Sequence, residues 1–132
     1  MAKRILVVDD EQYIRDLYVE FFSDAGYEVD SAVDGVEGLK KLQNGGYNLV
    51  LLDVMMPQFD GVEVLEQLAQ KPPKNVNGPI VILTNLTYEG VAKDALQKGA
   101  ADYIVKADVN PGQLMERLKK YLEDAPETPE VK

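Results

Sequence analysis

The chain has 132 residues, 45% of them apolar and 28% charged, the size and composition of one ordinary domain with a real core. It has no cysteine and no histidine, which excludes disulfides, thiolate metal sites, the usual zinc ligand and the usual general base. A net charge of −9, from 14 basic and 23 acidic residues, argues against a nucleic-acid-binding surface, and no apolar run approaches the roughly 20 residues of a membrane span.

In chain order, an apolar run over residues 5–8 ends in Asp9, Asp10 and Glu11 and reads as a buried strand with acid at its carboxyl end. Ile14, Leu17, Tyr18, Phe21, Phe22 and Ala25 then recur at helical spacing, and Gly26 supplies a left-handed stop. Residues 27–32 make a short second strand. Asp34, with Glu37 three residues later, fits a capping box that opens a helix. That helix is expected to turn Val36, Leu39 and Leu42 inward and to stop at Gly45 and Gly46. Residues 48–53 place four apolar residues ahead of Asp53, a run of the kind buried on both faces of a parallel sheet. Pro57 and Gly61 frame a loop, and Val62, Leu65, Leu68 and Ala69 mark a third helix. Residues 71–78, with two prolines and two asparagines, form a loop.

Residues 79–84 are a fourth strand ending in Thr84. A fourth helix runs from about residue 88 to 98, with Val91, Ala92, Ala95 and Leu96 on one face, and Gly99 stops it. Residues 101–106 are a fifth strand ending in Lys106. Asn110 and Pro111 open a fifth helix, which buries Leu114, Leu118, Tyr121 and Leu122. Residues 123–132, with two prolines and few apolar residues, are expected to be a disordered tail behind a single domain over residues 1–122. Met1 to Arg4 leads straight into a strand, so no signal peptide and a soluble, cytoplasmic protein are expected. Five strands alternating with five helices predict an α/β fold: a doubly wound parallel sheet with helices on both faces and right-handed crossovers.

Parallel strands present their carboxyl ends along one edge, where open α/β sheets bind ligands. Asp9 and Asp10, Asp53, Thr84 and Lys106 therefore share one rim. Three carboxylates there repel each other and raise one another's pKa values, and a divalent cation relieves the repulsion. With only oxygen ligands on offer, Mg²⁺ is the natural choice, and the backbone carbonyl of Met55 could complete its ligands. An ammonium at Lys106 and a hydroxyl at Thr84 suit a phosphoryl group, and a carboxylate can itself be the nucleophile. Taken singly, each residue has a blander reading: a helix cap at Asp9 and Asp10, a turn at Asp53, a strand-end cap at Thr84, a solvated charge at Lys106. Their joint occurrence at four strand ends favours function. Asp24, Asp30, Asp34, Asp60 and Asp102 fall where turns and caps want them and are assigned no chemistry.

These residues make the chain resemble the CheY-like receiver domain of response regulators in two-component signalling. The resemblance runs from about residue 3 to 122. It rests on Val7-Val-Asp-Asp-Glu11, Leu51-Leu-Asp-Val-Met-Met-Pro57 with Gly61, Leu83-Thr84, and Gly99-Ala-Ala-Asp-Tyr-Ile-Val-Lys106. It implies strand order 2-1-3-4-5. It implies that Asp53 is the phosphoacceptor, charged by a phosphohistidine on a histidine kinase or phosphotransfer protein, or by acetyl phosphate. Asp10, Asp53, the Met55 carbonyl and, through water, Asp9 would hold Mg²⁺, and Thr84 and Lys106 would bind the phosphoryl oxygens. Thr84 and Tyr103 would switch the face made by the fourth helix, fifth strand and fifth helix. That face would serve a downstream protein target, a missing output domain or a weak dimer of an otherwise monomeric chain.

Two positions depart from the family pattern. Ala107 stands where a cis proline usually follows the lysine. A cis bond before a non-proline residue costs about 3 kcal/mol, so either a trans bond with a shifted loop or a strained cis bond is expected, with trans favoured. Asn85 stands where a small residue usually follows the threonine. With Met55 and Leu86 flanking the site, its bulk implies slow attack by water and a long-lived phosphoryl group. Three other readings compete. A receiver-like module that signals without phosphate is kept open by Ala107 and Asn85. A metal-dependent phosphohydrolase with an aspartate nucleophile would want an acid where Met55 stands. A flavodoxin-like FMN site would want Ser, Thr and Gly where Asp9, Asp10 and Glu11 would repel a phosphate.

Overall fold

The computed structural model describes residues 2–86 and 88–123. The expected disorder of residues 123–132 falls outside these residues from 124 on, while Glu123 ends the last helix. The elements are β1 (Arg4–Val8), α1 (Gln12–Asp24), β2 (Glu28–Ala32), α2 (Gly35–Asn44), β3 (Leu49–Leu52), α3 (Gly61–Gln70), β4 (Ile80–Thr84), α4 (Glu89–Gln97), β5 (Asp102–Val105) and α5 (Pro111–Glu123). All strand pairs are parallel and the sheet order is β2-β1-β3-β4-β5, as the resemblance implied.

Side chains alternate between the two sheet faces, so each apolar strand feeds two cores. Leu6, Val8, Val50, Leu52 and Ile82 pack with Leu42, Val64, Leu65 and Ala95 under α2, α3 and α4. Ile5, Val7, Leu49, Leu51, Val81, Leu83 and Ile104 pack with Tyr18, Phe22, Leu114, Leu118 and Leu122 under α1 and α5. The continuous runs that suggested two-sided burial are thus explained by a helix layer on each face. At the amino edge of the sheet, the loop after α3 is fastened to the end of α2. Lys74 N–H donates to Gln43 O at 2.8 Å and the Asn77 amide to Leu42 O at 2.9 Å.

Several expectations change. Val36 does not turn inward; it is 59% exposed. Helix α2 rests on β1 through Gly38, where an added Cβ would lie 2.7 Å from Val8 Cγ1, and that phase rotates Val36 to solvent. Leu96 is likewise exposed at 45%, because α4 meets the core through Ala95 and, in part, Val91 and Ala92. Asp34 does cap Glu37 N–H, but Glu37 Oε1 accepts from Val33 N–H rather than closing the box on Asp34. The reciprocal box is at Asp60 and Glu63, opening α3. Asp30 and Asp102 lie inside β2 and β5, in keeping with the expected strand bounds, and do not serve the turns or caps also assigned to them. Asp30 binds Lys41 Nζ at 2.9 Å and the Tyr47 hydroxyl at 2.8 Å; Asp102 binds Arg117 at 3.1 Å and the Tyr121 hydroxyl at 3.2 Å. That last bond keeps Tyr121 half-buried, its ring against the core and its oxygen at the surface.

Two substitutions separate the inward and outward phases. Leu118→Ala, in the α5 core, should cost about 2–5 kcal/mol in urea unfolding, and Val36→Ala should stay within about 0.5 kcal/mol of the parent.

Candidate functional site

Chain direction alone brings the carboxyl ends of β1, β3, β4 and β5 to one rim, and the side chains at those ends are buried. Asp9 and Asp53 are each 3% exposed, Thr84 0% and Lys106 7%. Backbone bonds fix the first two: Asp9 N–H donates to Ala32 O at 3.2 Å and Asp53 N–H to Val8 O at 3.0 Å, each extending its ladder by one residue. Asp9 Oδ1 accepts from Glu11 N–H at 3.0 Å and Asp53 Oδ1 from Met55 N–H at 2.9 Å, so each carboxylate is oriented by the loop that follows it. Gly61 lets α3 start directly behind this strand end; an added Cβ there would meet Asp53 O at 2.5 Å.

Lys106 starts a single 3-10 turn, Lys106–Asp108, just past β5. Its Nζ lies 2.6 Å from Asp9 Oδ2 and 2.8 Å from Asp53 Oδ2. Asp10 is exposed, and one carboxylate oxygen from each of Asp9, Asp10 and Asp53 lies within 4.8 Å of the others. Three carboxylates and one ammonium leave −3 + 1 = −2 when all are ionised. All the donors are hard oxygens, the set a hard divalent cation takes. Asp9, Asp10, Asp53 and Lys106 are therefore in one place, with Asp10 on the solvent side.

The electrostatics refine the expected mutual repulsion. Burial is what pushes the Asp9 carboxyl above its ordinary range; hydrogen bonds from Lys106 and Glu11 N–H pull it back without cancelling that, and the Asp53 charge adds the least. Burial pulls the Lys106 ammonium down, but its hydrogen bonds to Asp53 and Asp9 outweigh that and hold it above its ordinary value. The lysine thus already neutralises part of the charge that the sequence assigned to a cation.

Thr84 Oγ1 accepts from Leu86 N–H at 3.3 Å, and the Tyr103 hydroxyl donates to Leu86 O. Tyr103 is half-buried against the α2–α4 core. Met55 and Leu86 both line a groove of about 630 Å³ with Pro57, Val62 and Val91, on the α3–α4 side of the site. Met55 is 53% exposed at its mouth. No peptide bond among the described residues is cis, so Lys106–Ala107 is trans, as expected. One contributor escaped the sequence reading, and another, Asn85, was read for its bulk and not for the bond it makes. The Arg15 guanidinium donates to Asp9 O at 2.8 Å, from a helix position with no signature of its own. Asn85 Oδ1 accepts from Ala107 N–H at 3.0 Å, joining the two departures from the family pattern.

A family model described as the response regulator receiver domain matches residues 5–119. The chain is 40% identical over 122 residues to the alkaline phosphatase synthesis transcriptional regulatory protein PhoP of Bacillus subtilis (strain 168), covering 92% of this chain and 49% of that protein. It thus spans about half the length of that regulator. It is 37% identical over 122 residues to the chemotaxis protein CheY of Treponema pallidum (strain Nichols), covering 90% of this chain and 82% of that one. Among solved structures, the response regulator protein TrrA of Thermotoga maritima in complex with Mg(2+)-BeF is similar, with a TM-score of 0.74 and 42% identity, covering 90% of this chain and 98% of that one.

The raised Asp9 carboxyl gives a signed pH prediction. The folded chain holds this proton more tightly than the unfolded chain, whose group titrates near 3.8. The penalty is absent below that pH and grows as pH rises through the folded value. Asp9→Asn should therefore raise the urea midpoint at neutral pH, with the gain shrinking as pH is lowered toward 3.8. A variant less stable than the parent at neutral pH contradicts this.

Proposed function

Because the chain belongs to the receiver domains of response regulators, which are signalling domains rather than classical enzymes, we propose that it is a phosphoacceptor switch centred on Asp53. The observation that carries this reading is the buried Lys106 ammonium bridging Asp9 and Asp53, with Asp10 within 4.8 Å.

An Asp53 carboxylate oxygen attacks the phosphorus of a phosphohistidine on a histidine kinase or phosphotransfer protein, or of acetyl phosphate. The new O–P bond forms as the donor's bond to phosphorus breaks and its electron pair leaves with the donor. Asp9, Asp10, Asp53 and the Met55 carbonyl would hold Mg²⁺, which supplies charge neutralisation to the transferring group. The complex of TrrA with Mg(2+)-BeF supports that choice of ion. Lys106 trades a carboxylate for a phosphoryl oxygen, and Thr84 releases Leu86 N–H and turns its hydroxyl to another. Tyr103 then exchanges its partner at Leu86 O, and the change reaches the face of α4, β5 and α5. A downstream protein or an output domain outside this sequence reads that face in the cytoplasm, and a weak dimer would use it too. The domain occupies residues 1–122, and α5 carries it one residue further, to Glu123. Met55 and Leu86 restrict water, so the phosphoryl group is long-lived.

Intact mass after incubation with Mg²⁺ and acetyl phosphate tests the reading: the native chain gains one phosphoryl group and Asp53→Ala gains none. Repeated failure, also with a competent kinase, would favour a module that signals without phosphate. Met55→Ala should speed loss of the phosphoryl group severalfold in the same assay; an unchanged rate refutes the shielding role. Without phosphate, Mg²⁺ at 100 times its Kd should stabilise the native chain by about 2.7 kcal/mol, and Asp10→Ala should abolish most of that gain.

A further inference from the structure

The two residues that would meet the phosphoryl group, Thr84 and Lys106, come from different strands, yet the residues that follow them touch. Asn85 Oδ1 accepts from Ala107 N–H at 3.0 Å across 22 residues of sequence. Both partners matter. A proline at 107 has no N–H to give, and an alanine at 85 has no oxygen to receive it. Each residue alone is a departure without purpose; together they make one bond.

That bond does not act alone. Leu86, the next residue, is held by the Tyr103 hydroxyl through its carbonyl and by Thr84 Oγ1 through its N–H. Tyr103 stands three residues before Lys106, so Asn85 and Leu86 fasten the end of β4 to both sides of Lys106. Ala107 also lies in the 3-10 turn that Lys106 begins, which Val109 N–H closes on Lys106 O at 3.3 Å. A shift of the turn therefore shifts the lysine.

We propose that Asn85 is a positioning residue: its bond to Ala107 N–H makes the Thr84 loop and the Lys106 turn move as one unit, so both reach the phosphoryl group together. This rests on the receiver reading and adds to it how the two ligands are kept in step without a proline after the lysine. Misplacement by a fraction of an ångström at a reacting centre is enough to slow transfer. The bond lies at the surface and competes with water, so its loss slows phosphorylation by about three- to tenfold rather than abolishing it.

The test is a double-mutant cycle on the full 132-residue chain, following phosphorylation by acetyl phosphate with intact mass. Asn85→Ala removes the acceptor and Ala107→Pro the donor. Each should slow phosphorylation about three- to tenfold, and the double variant should stay within about twofold of either single. The Ala107 amide proton should move upfield in Asn85→Ala, while Mg²⁺ binding and the thermal midpoint stay near the parent's. Effects that multiply, a parental rate in Asn85→Ala, or an unmoved Ala107 amide overturn the proposal. If the native chain itself takes no phosphoryl group, the receiver reading falls and this proposal with it; if the native chain does and Asn85→Ala matches it, only the coupling falls.

Discussion

The contact on which the rest of the site depends is the Lys106 ammonium held between Asp9 and Asp53. A buried charge that loses its partner is destabilising by several kcal/mol, so these three groups demand that their strand ends stay aligned. The sheet supplies that alignment. Asp9 and Asp53 follow neighbouring strands whose last paired residues are Val8 and Leu52, and Thr84 pairs with Val105 next to the lysine. Lys106 comes from the edge strand and crosses the end of β4 to reach the carboxylates. Its long apolar stem is what makes that reach compatible with burial.

The same arrangement explains why so much was readable from the chain and where the reading failed. Apolar strands buried on both faces leave an unmistakable mark: residues 5–8 and 49–52 have no polar position at all. Strand direction then places Asp9, Asp53, Thr84 and Lys106 together without any knowledge of side-chain geometry. The helices are less legible, because their inward phase depends on how closely each approaches the sheet. Gly38 on Val8 sets α2, and Ala95 sets α4, so Val36 and Leu96, apolar and well spaced, still face water. Asp30 and Asp102 were misread for a related reason. A carboxylate is a poor strand former until a partner arrives from elsewhere, here Lys41 with Tyr47, and Arg117 with Tyr121. Such partners are distant in sequence and carry no local signal. Arg15, and the bond of Asn85 to Ala107, escaped on the same account.

The site and the face of α4, β5 and α5 are joined by short links. Leu86 sits between Thr84 and the Tyr103 hydroxyl, and Lys98 ties α4 to α3 through Glu66 at 3.2 Å while also holding Asp94 at 2.9 Å. The Lys98 pairs are exposed and contribute little to stability.

The lysine clamp has a further consequence for how the domain can be used. Metal sites that lack an internal cation become part of folding: the apo chain cannot tolerate its own ligands, and the ion acts as a staple. Here the chain carries one ammonium of its own, shared between two of the three carboxylates, so part of the charge is offset from within the fold. A divalent cation at this site would then have less charge to offset than three bare carboxylates would present.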